Sequence, residues 1–283
     1  MHRRLCQLAA ALLVCVMFAG TAAALDRADC ERDFKPQTGQ SGKDVVWVPT
    51  GDDVVTGMLK MAKAGPNDLV IDLGAGDGKI AIAAAQQFGA RAKGIEYNPD
   101  MVKLATCYAQ VAGVSDRVQI VQGDIFETNF KDATIITMYL LPDLNLKLRP
   151  QLLEMKPGTR IASHSFKMAD WEADQQYGDG FGQAFLWIVT AKVDGRWMFQ
   201  KVGGGGRFVV DLRQAFQKIT GTVSVNGRSQ PLQKATLNGA DIELQFKDGD
   251  GALLTLTGSV NGTSIDASSS NGKDRARYRG TRS

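Results

Sequence analysis

The stretch Val70–Lys79, VIDLGAGDGK, decides the fold of this chain of 283 residues. An apolar run ends at Leu73 and is followed by glycine at every second position, Gly74, Gly76 and Gly78, before an alanine-rich helical pattern begins at Lys79. A strand that ends in a glycine loop and opens a helix lets backbone approach a ligand closely, because glycine has no side chain in the way. The stretch therefore predicts a ligand-binding βα unit.

Strand and helix patterns alternate from Val45 to about Gln200. Predicted strands are Leu69–Leu73, Ala92–Glu96, Val118–Gln122, Thr134–Tyr139 and Arg160–His164, with helices at Lys79–Gln87 and Asp100–Val111. Two more, Ala184–Ala191 and Arg196–Gln200, flank Val193-Asp194-Gly195, whose Asp-Gly pair favours a hairpin turn. Five alternating strands and this antiparallel pair predict a seven-stranded α/β sheet covered by helices.

After Gly203–Gly206 the pattern changes to turn pairs between alternating strands. The turn pairs are Asn226-Gly227, Asn238-Gly239, Asp248-Gly249 and Asn261-Gly262, and the strands include Ile219–Val225, Asp241–Phe246, Leu253–Val260 and Thr263–Ala267. They predict a small antiparallel β barrel or sandwich, whose last strand and tail carry Arg275, Arg277, Arg279 and Arg282. We expect a leader at 25–44, an α/β domain at 45–202 and a β domain at 203–283.

Residues 1–24 have the composition of an export signal. Arg3 and Arg4 precede an apolar run, and Gly20–Ala24 reads GTAAA, a small-residue cleavage site. Cleavage after Ala24 predicts a periplasmic or secreted protein; the alternative is an uncleaved membrane anchor, which would also place the remainder outside the cytoplasm.

Two cysteines, Cys30 and Cys107, remain after the predicted cleavage. In an oxidising compartment they can pair, and the alternative is two unpaired thiols. Residues 25–283 hold 31 basic and 30 acidic side chains, a balance that predicts no nucleic-acid partner.

The charges of the glycine loop separate its candidate cofactors. A dinucleotide loop needs a small residue at position 79, where this chain has Lys79. Asp72 and Asp77 would repel a pyrophosphate but suit a ligand with a sulfonium and an ammonium group. The loop, including Ala75, therefore predicts S-adenosylmethionine rather than a nicotinamide dinucleotide.

Acidic residues also follow the next two strands. Glu96 can accept hydrogen bonds from ribose hydroxyls, with Tyr97 beside it, and Asp124 can meet the adenine amine while Ile125 packs on the ring. The alternatives are a charge that caps a helix and a plain turn aspartate. Three carboxylates at successive strand ends predict one site at the carboxyl edge of the sheet.

The segments VWVPTGDDVVTGMLKMA, VIDLGAGDGKIAIAAA and GIEYNPDMV, between Val46 and Leu104, resemble class I methyltransferases related to the mitochondrial protein-lysine methyltransferases. The resemblance implies a Rossmann-like sheet. It also implies that the loop holds the methionine end of the cofactor, Glu96 the ribose and Asp124 the adenine, and that Val48, Pro49 and Thr50 lie over it. Gly51 departs from the family's usual proline, and the family does not usually carry an export signal or a C-terminal β unit.

Two further residues are candidates for the chemistry. Tyr139, at the end of the fourth predicted strand, can steer a lysine amine, and His164, after the fifth, can take its proton. The alternatives are an aromatic packing residue and a structural histidine. No metal-binding cluster is apparent in the sequence.

The main hypothesis is a methyltransferase that acts on a protein lysine or a small-molecule acceptor. The alternative is a non-catalytic binding module of the exported envelope.

Overall fold

The computed structural model describes residues 25–272 and 274–283, so the predicted export signal lies outside the described residues. Its N-terminal part is a seven-stranded sheet with helices. The strands are β1 Leu69–Leu73, β2 Arg91–Glu96, β3 Val118–Gln122, β4 Ile135–Met138, β5 Arg160–His164, β6 Gln175–Tyr177 and β7 Ala184–Ile188. The helices are α1 Arg27–Cys30, α2 Asp52–Met61, α3 Lys79–Phe88, α4 Pro99–Val111 and α5 Pro142–Leu153.

The strand order in this sheet is β3-β2-β1-β4-β5-β7-β6, with β1 to β5 parallel and β7 antiparallel to both of its neighbours. β1 therefore lies between β2 and β4, and Asp72 pairs in register with Gly94 on one side and Thr137 on the other. Ligands bind such sheets at the carboxyl ends of the strands, where the strand order reverses. The predicted Rossmann-like α/β sheet is confirmed.

One predicted strand belongs to a different sheet. Arg196–Gln200 was expected to complete the α/β sheet, but it lies within β8 Gly195–Lys201, which pairs with the β domain. The seventh strand of the first sheet is instead β6, three exposed residues, two of them glutamines, that pair with β7. The Asp194-Gly195 pair does not form the predicted hairpin turn, because Gly195 is already the first residue of β8 and β7 does not pair with β8. β8 pairs instead with β9 and β16, which are longer strands than β7.

Nine antiparallel strands form that second sheet. After β8 they are β9 Arg207–Ala215, β10 Lys218–Val225, β11 Arg228–Pro231, β12 Lys234–Asn238, β13 Asp241–Lys247, β14 Leu253–Asn261, β15 Ser264–Ser270 and β16 Arg275–Arg282. The order is β11-β10-β9-β8-β16-β15-β14-β13-β12, so β16 pairs with β8 and the two edge strands are consecutive in the chain. The sheet curls around an apolar core that includes Trp197, Phe199 and Phe246. This agrees with the predicted barrel or sandwich.

The two units contact each other directly. The Trp171 ring of the first stacks on Phe216 of the second, with ring centroids 5.8 Å apart, and Ala191 N donates to Gly239 O at 2.8 Å.

Cys30 and Cys107 form the disulfide that the sequence left open, with their Cα atoms 5.7 Å apart. The bond fastens the leader to α4. None of the helices in residues 25–272 and 274–283 is both long and apolar enough to cross a membrane.

Candidate cofactor site

A cavity of about 220 Å³ lies at the carboxyl ends of β1, β2 and β4. Residues of the leader and of the glycine loop both line it. Its described lining includes all the predicted carboxylates, namely Asp72, Asp77, Glu96 and Asp124. It also includes Thr50, Gly74, Ala75, Gly76, Tyr97, Ile125 and Tyr139. The fold thus brings together most of the residues that the sequence indicated.

The glycine loop takes a conformation that other residues rarely adopt. Gly74, Gly76 and Gly78 have φ angles of 76°, 55° and 78°, in the left-handed region. Gly76 is also tightly packed, because a β carbon there would lie 2.7 Å from Nε1 of Trp47. Glycine is needed here both for the backbone angle and for the contact with the leader.

Asp72 is the buried charge at the centre of the site, with 2% of its surface exposed. Burial is the main reason why its pKa is raised to about 7; the charges of Asp77 and Glu96 also raise this pKa, whereas a hydrogen bond lowers it. The donor of that bond is Thr137 Oγ1, 2.7 Å from Asp72 Oδ1. Burial also raises the pKa of Asp77. Two carboxyl groups that resist ionisation side by side make this end of the cavity suited to a cation.

Glu96 is oriented by two backbone donors. Gly76 N donates to its Oε2 at 2.8 Å, and Asn98 N donates to its Oε1 at 2.9 Å. The Asn98 side chain caps α4, which fixes the turn that follows β2. Each carboxylate oxygen keeps a further lone pair for a ligand hydroxyl.

Asp124 lies where β3 ends. Phe126 N donates to its Oδ1 at 2.9 Å, and Lys43 Nζ donates to its Oδ2. The hydrogen bond from Lys43 is the main reason why the pKa of Asp124 is lowered. Lys43 Nζ also lies 4.9 Å from the ring centroid of Tyr97. The leader therefore reaches the place predicted for adenine.

His164 lies beside the cavity but is not among its described lining residues. Its Nε2 is 2.9 Å from Phe181 O, a group that only accepts, so Nε2 carries a proton. Nδ1 is 3.2 Å from Thr50 Oγ1 and accepts from it in the neutral ring. Burial lowers the pKa of His164 and favours that neutral form. Both ring nitrogens are thus engaged by the protein.

Tyr139 lines the cavity and packs against His164, with ring centroids 3.9 Å apart and the rings tilted by 39°. Phe166 is the next ring, 6.2 Å from Tyr139, and it also lines the cavity. Together with Leu140 and Leu144 these rings give the end of the cavity near β4 an apolar wall. This wall is apolar, whereas the glycine loop is flanked by the carboxyl groups of Asp72 and Asp77.

The lining residues that the sequence did not indicate include Gln40, Lys43 and Trp47, which precede the lead-in segment, and Phe166, which follows β5. The signal that could have found the first three was the pair of glycines at 39 and 42, which marks a turn close to the family's lead-in segment. Nothing local in the sequence places Phe166.

The described residues contain no group of three or more His, Cys, Asp or Glu side chains that could hold a metal ion.

Comparison with known proteins identifies similar methyltransferases. Residues 72–175 match the family model described as the ANTKMT methyltransferase domain. The chain is 43% identical over 129 residues to a protein-lysine N-methyltransferase of Saccharolobus islandicus (strain REY15A), an alignment covering 45% of this chain and 80% of that protein. It is 31% identical over 136 residues to an adenine nucleotide translocase lysine N-methyltransferase of Mus musculus, covering 48% of this chain and 59% of that one.

A solved structure shows the same likeness. An RNA methyltransferase from Salinibacter ruber, in complex with S-adenosyl-L-homocysteine, is 45% identical, with a TM-score of 0.50, and the match covers 52% of this chain and 96% of that one.

The cavity fits S-adenosylmethionine by its chemistry. Carboxylates at the loop suit the ammonium and sulfonium groups, and Glu96 offers acceptors to ribose hydroxyls. Tyr97 and Ile125 line the same cavity as Asp124 and offer a ring and an apolar side chain to adenine. The described lining holds five carboxylates and two lysines, Lys43 and Lys79, so negative charge predominates and disfavours a phosphate.

Proposed function

Because the chain belongs to the family of S-adenosylmethionine-dependent methyltransferases that includes the protein-lysine N-methyltransferases, we propose that it methylates a lysine side chain of a protein. The main support for the proposal is that one cavity combines two surfaces: the carboxylates of the cofactor site, and an aromatic and apolar wall at the end of β4. The first suits the cofactor and the second suits an amine that must be stripped of water.

In this proposal the carboxylates hold the cofactor. Asp72 and the glycine loop would receive its amino-acid end, Glu96 its ribose and Asp124 its adenine amine. Bound S-adenosylmethionine supplies an electrophilic methyl group on a sulfonium centre. The protein's own contribution is to fix the direction from which the amine approaches and to keep water away.

The acceptor amine must be neutral before it can attack. Tyr139, Leu140 and Phe166 give it apolar surroundings, which favour the uncharged form of a lysine over the ammonium. The faces of the two rings also attract the cationic methylammonium product. Tyr139 is therefore the residue that we assign to orienting the acceptor.

His164 is assigned a positioning role rather than that of a base. Its Nδ1 accepts from Thr50 and its ring supports Tyr139 from behind, at a centroid distance of 3.9 Å. With both nitrogens bonded to protein groups, the imidazole has no free lone pair to receive the proton of a lysine.

RNA is the competing acceptor, because the similar protein from Salinibacter ruber is described as an RNA methyltransferase. Charge disfavours it at this site: residues 25–194 hold 18 Lys and Arg against 23 Asp and Glu, a difference of −5. A polyanion would be repelled by the unit that carries the cavity.

We further propose that the protein works outside the cytoplasm. The predicted export signal of residues 1–24 supports this, and so does the Cys30–Cys107 disulfide, a bond typical of exported proteins. A fusion of the full chain to alkaline phosphatase, which is active only after export, tests this location. An inactive fusion that is present at full length contradicts it.

The acceptor is tested with residues 25–283 and cofactor labelled in the methyl group. Two substrates are offered in parallel, a cell-envelope protein fraction and total RNA, and each product is hydrolysed to its monomers. Label in methyl-lysine supports the proposal, whereas label confined to nucleosides refutes it. Asp72→Ala and Glu96→Ala serve as controls and should abolish labelling in both arms.

A further inference from the structure

The leader carries a small hairpin across the cofactor cavity. Residues 39–47, which we call the leader hairpin, are held by Gly39 N donating to Trp47 O at 2.8 Å and by Trp47 N donating to Gln40 O at 2.9 Å. Gly42 N closes the turn by donating to Val45 O at 2.9 Å. The hairpin is thus a defined element rather than a loose connection, with Lys43 in its turn.

The turn and the base of the hairpin both contact the cofactor site. Lys43, in the turn, donates to Asp124 and lies over the Tyr97 ring. At the base, the Trp47 indole lies against Gly76 of the glycine loop. The hairpin therefore spans the cavity between the place predicted for adenine and the place predicted for the amino-acid end of the cofactor.

The segment before the hairpin is fastened to α4. Cys30 is bonded to Cys107, and the neighbouring Tyr108 hydroxyl donates to Glu31 Oε1 at 2.7 Å. The Arg27 guanidinium lies 4.0 Å from the centroid of the Tyr108 ring. These contacts lie outside the cavity, so the leader has one attachment at α4 and a second at Asp124.

We infer that the leader hairpin is part of the cofactor site. In this inference the hydrogen bond from Lys43 to Asp124 holds the hairpin closed over the cavity, and the Cys30–Cys107 disulfide anchors the segment before the hairpin. The hairpin lines one side of the cavity, and in this inference its movement opens the path by which a bound cofactor leaves. Each Asp124 oxygen keeps a further lone pair, which lets the carboxylate accept from Lys43 and from a ligand amine together.

The anchor acts by keeping the hairpin close to its contacts. Only 13 positions separate Cys30 from Lys43, and a short tether holds a second contact at high effective concentration. Without the disulfide, closing the hairpin also has to order residues 25–38, which makes closure less favourable. Both the Lys43–Asp124 hydrogen bond and the Cys30–Cys107 disulfide should therefore slow the release of cofactor.

The inference rests on the binding of cofactor at this cavity and not on the identity of the methyl acceptor. It is tested by the release of tritiated S-adenosylhomocysteine from residues 25–283 after dilution into excess unlabelled ligand. The variants are Cys30→Ser/Cys107→Ser and Lys43→Met. We expect each to release the ligand about tenfold faster, a factor that corresponds to about 1.4 kcal/mol.

Lys35→Met is the matched control, because it removes the nearby Lys35–Glu31 ion pair of the leader without touching the cavity. It should release the ligand at the wild-type rate. Circular dichroism at the assay temperature checks that the cysteine variant is folded, and Lys43→Met keeps the disulfide and tests the hairpin independently of stability.

Unchanged release in either Cys30→Ser/Cys107→Ser or Lys43→Met overturns the inference, and so does equal acceleration in Lys35→Met. If the wild-type chain fails to bind S-adenosylhomocysteine, the cofactor site itself is wrong, which is a different result.

Discussion

Acidifying the solution from about pH 8 to about pH 6 should weaken cofactor binding, because it protonates Asp72. This buried carboxyl has a pKa raised to about 7, mainly by burial. A cationic amino group beside it favours the ionised form, so the pKa must be lower in the complex than in the free protein. Binding therefore releases a proton at pH values between the pKa of Asp72 in the complex and its pKa in the free protein.

The magnitude follows from that pKa. One unit below about 7, roughly one free molecule in ten has Asp72 ionised, so the affinity at about pH 6 should be about tenfold weaker than the plateau above pH 8. Asp77, whose pKa burial also raises, adds to the slope in the same direction.

Folding stability should change with pH in the opposite direction to cofactor affinity, because Asp72 is harder to ionise in the folded protein than in the unfolded one. Its pKa of about 7 in the folded protein exceeds the ordinary value of 3.8, so between these values the folded state binds more protons and stability falls as the pH rises. The difference of about 3 pKa units corresponds to about 4 kcal/mol above pH 7. Asp72→Asn should therefore raise the thermal midpoint of the free protein at about pH 8 while weakening cofactor binding.

Calorimetric titration with S-adenosylhomocysteine, in two buffers of different ionisation enthalpy, measures both the affinity and the proton released. Asp72→Asn should bind weakly and with a smaller dependence on pH, since only the contribution of Asp77 remains. Asp174→Asn is the control, since burial raises the pKa of Asp174 as well but that residue does not line the cavity. Equal affinity at the two pH values in the wild-type protein refutes the reasoning, as does an unchanged slope in Asp72→Asn.

Three other substitutions separate the roles of neighbouring groups. Thr137→Val removes the hydrogen bond that lowers the pKa of Asp72, so the midpoint of the affinity profile should move to higher pH, and Thr137→Ser should restore it. Glu96→Ala should weaken binding of S-adenosylhomocysteine by at least about tenfold, since it leaves the N–H groups of Gly76 and Asn98 without their acceptor. The control is Glu127→Ala, which removes an exposed carboxylate and should bind normally in the same titration. His164→Asn should keep most turnover in the labelling assay, and a loss that is confined to low pH would instead indicate a base.

The sequence predicted the parts of the fold that depend on local pattern. β1 and β4 are short apolar runs, and α4 begins at the expected signal, with Asn98 as its cap and Pro99 in its first turn. β6 gave no such signal, because Gln175–Tyr177 is exposed and polar and becomes a strand only by pairing with β7.

The sheet to which β8 belongs could not be predicted for a related reason. Its partner β9 is adjacent in the chain, but its other partner, β16, is formed by the last residues of the chain. The Asp194-Gly195 pair before β8 favours a hairpin, but no hairpin joins β7 to β8. Long-range pairing, which local pattern does not encode, decides the boundary between the two units.

The sequence predicted the site residues that lie at or just after the carboxyl ends of the strands. Asp72, Glu96 and Asp124 were expected to converge from sequence, and all three line one cavity. The two backbone donors to Glu96 and the hydroxyl donor to Asp72 were not predictable, because each depends on the register of neighbouring strands or on loop geometry. The leader was the largest omission, since its position depends on a covalent bond to a helix far along the chain.

The disulfide connects the two features of this chain that otherwise conflict. The glycine loop requires a cofactor that is made in the cytoplasm, whereas the first 24 residues predict export. If the proposed export and the proposed anchor are both correct, the leader hairpin is fastened only after the chain reaches an oxidising compartment, because the Cys30–Cys107 bond does not persist in the cytoplasm. The protein then holds its cofactor least firmly where it is synthesised and most firmly where it acts, which would let a small external supply of S-adenosylmethionine suffice.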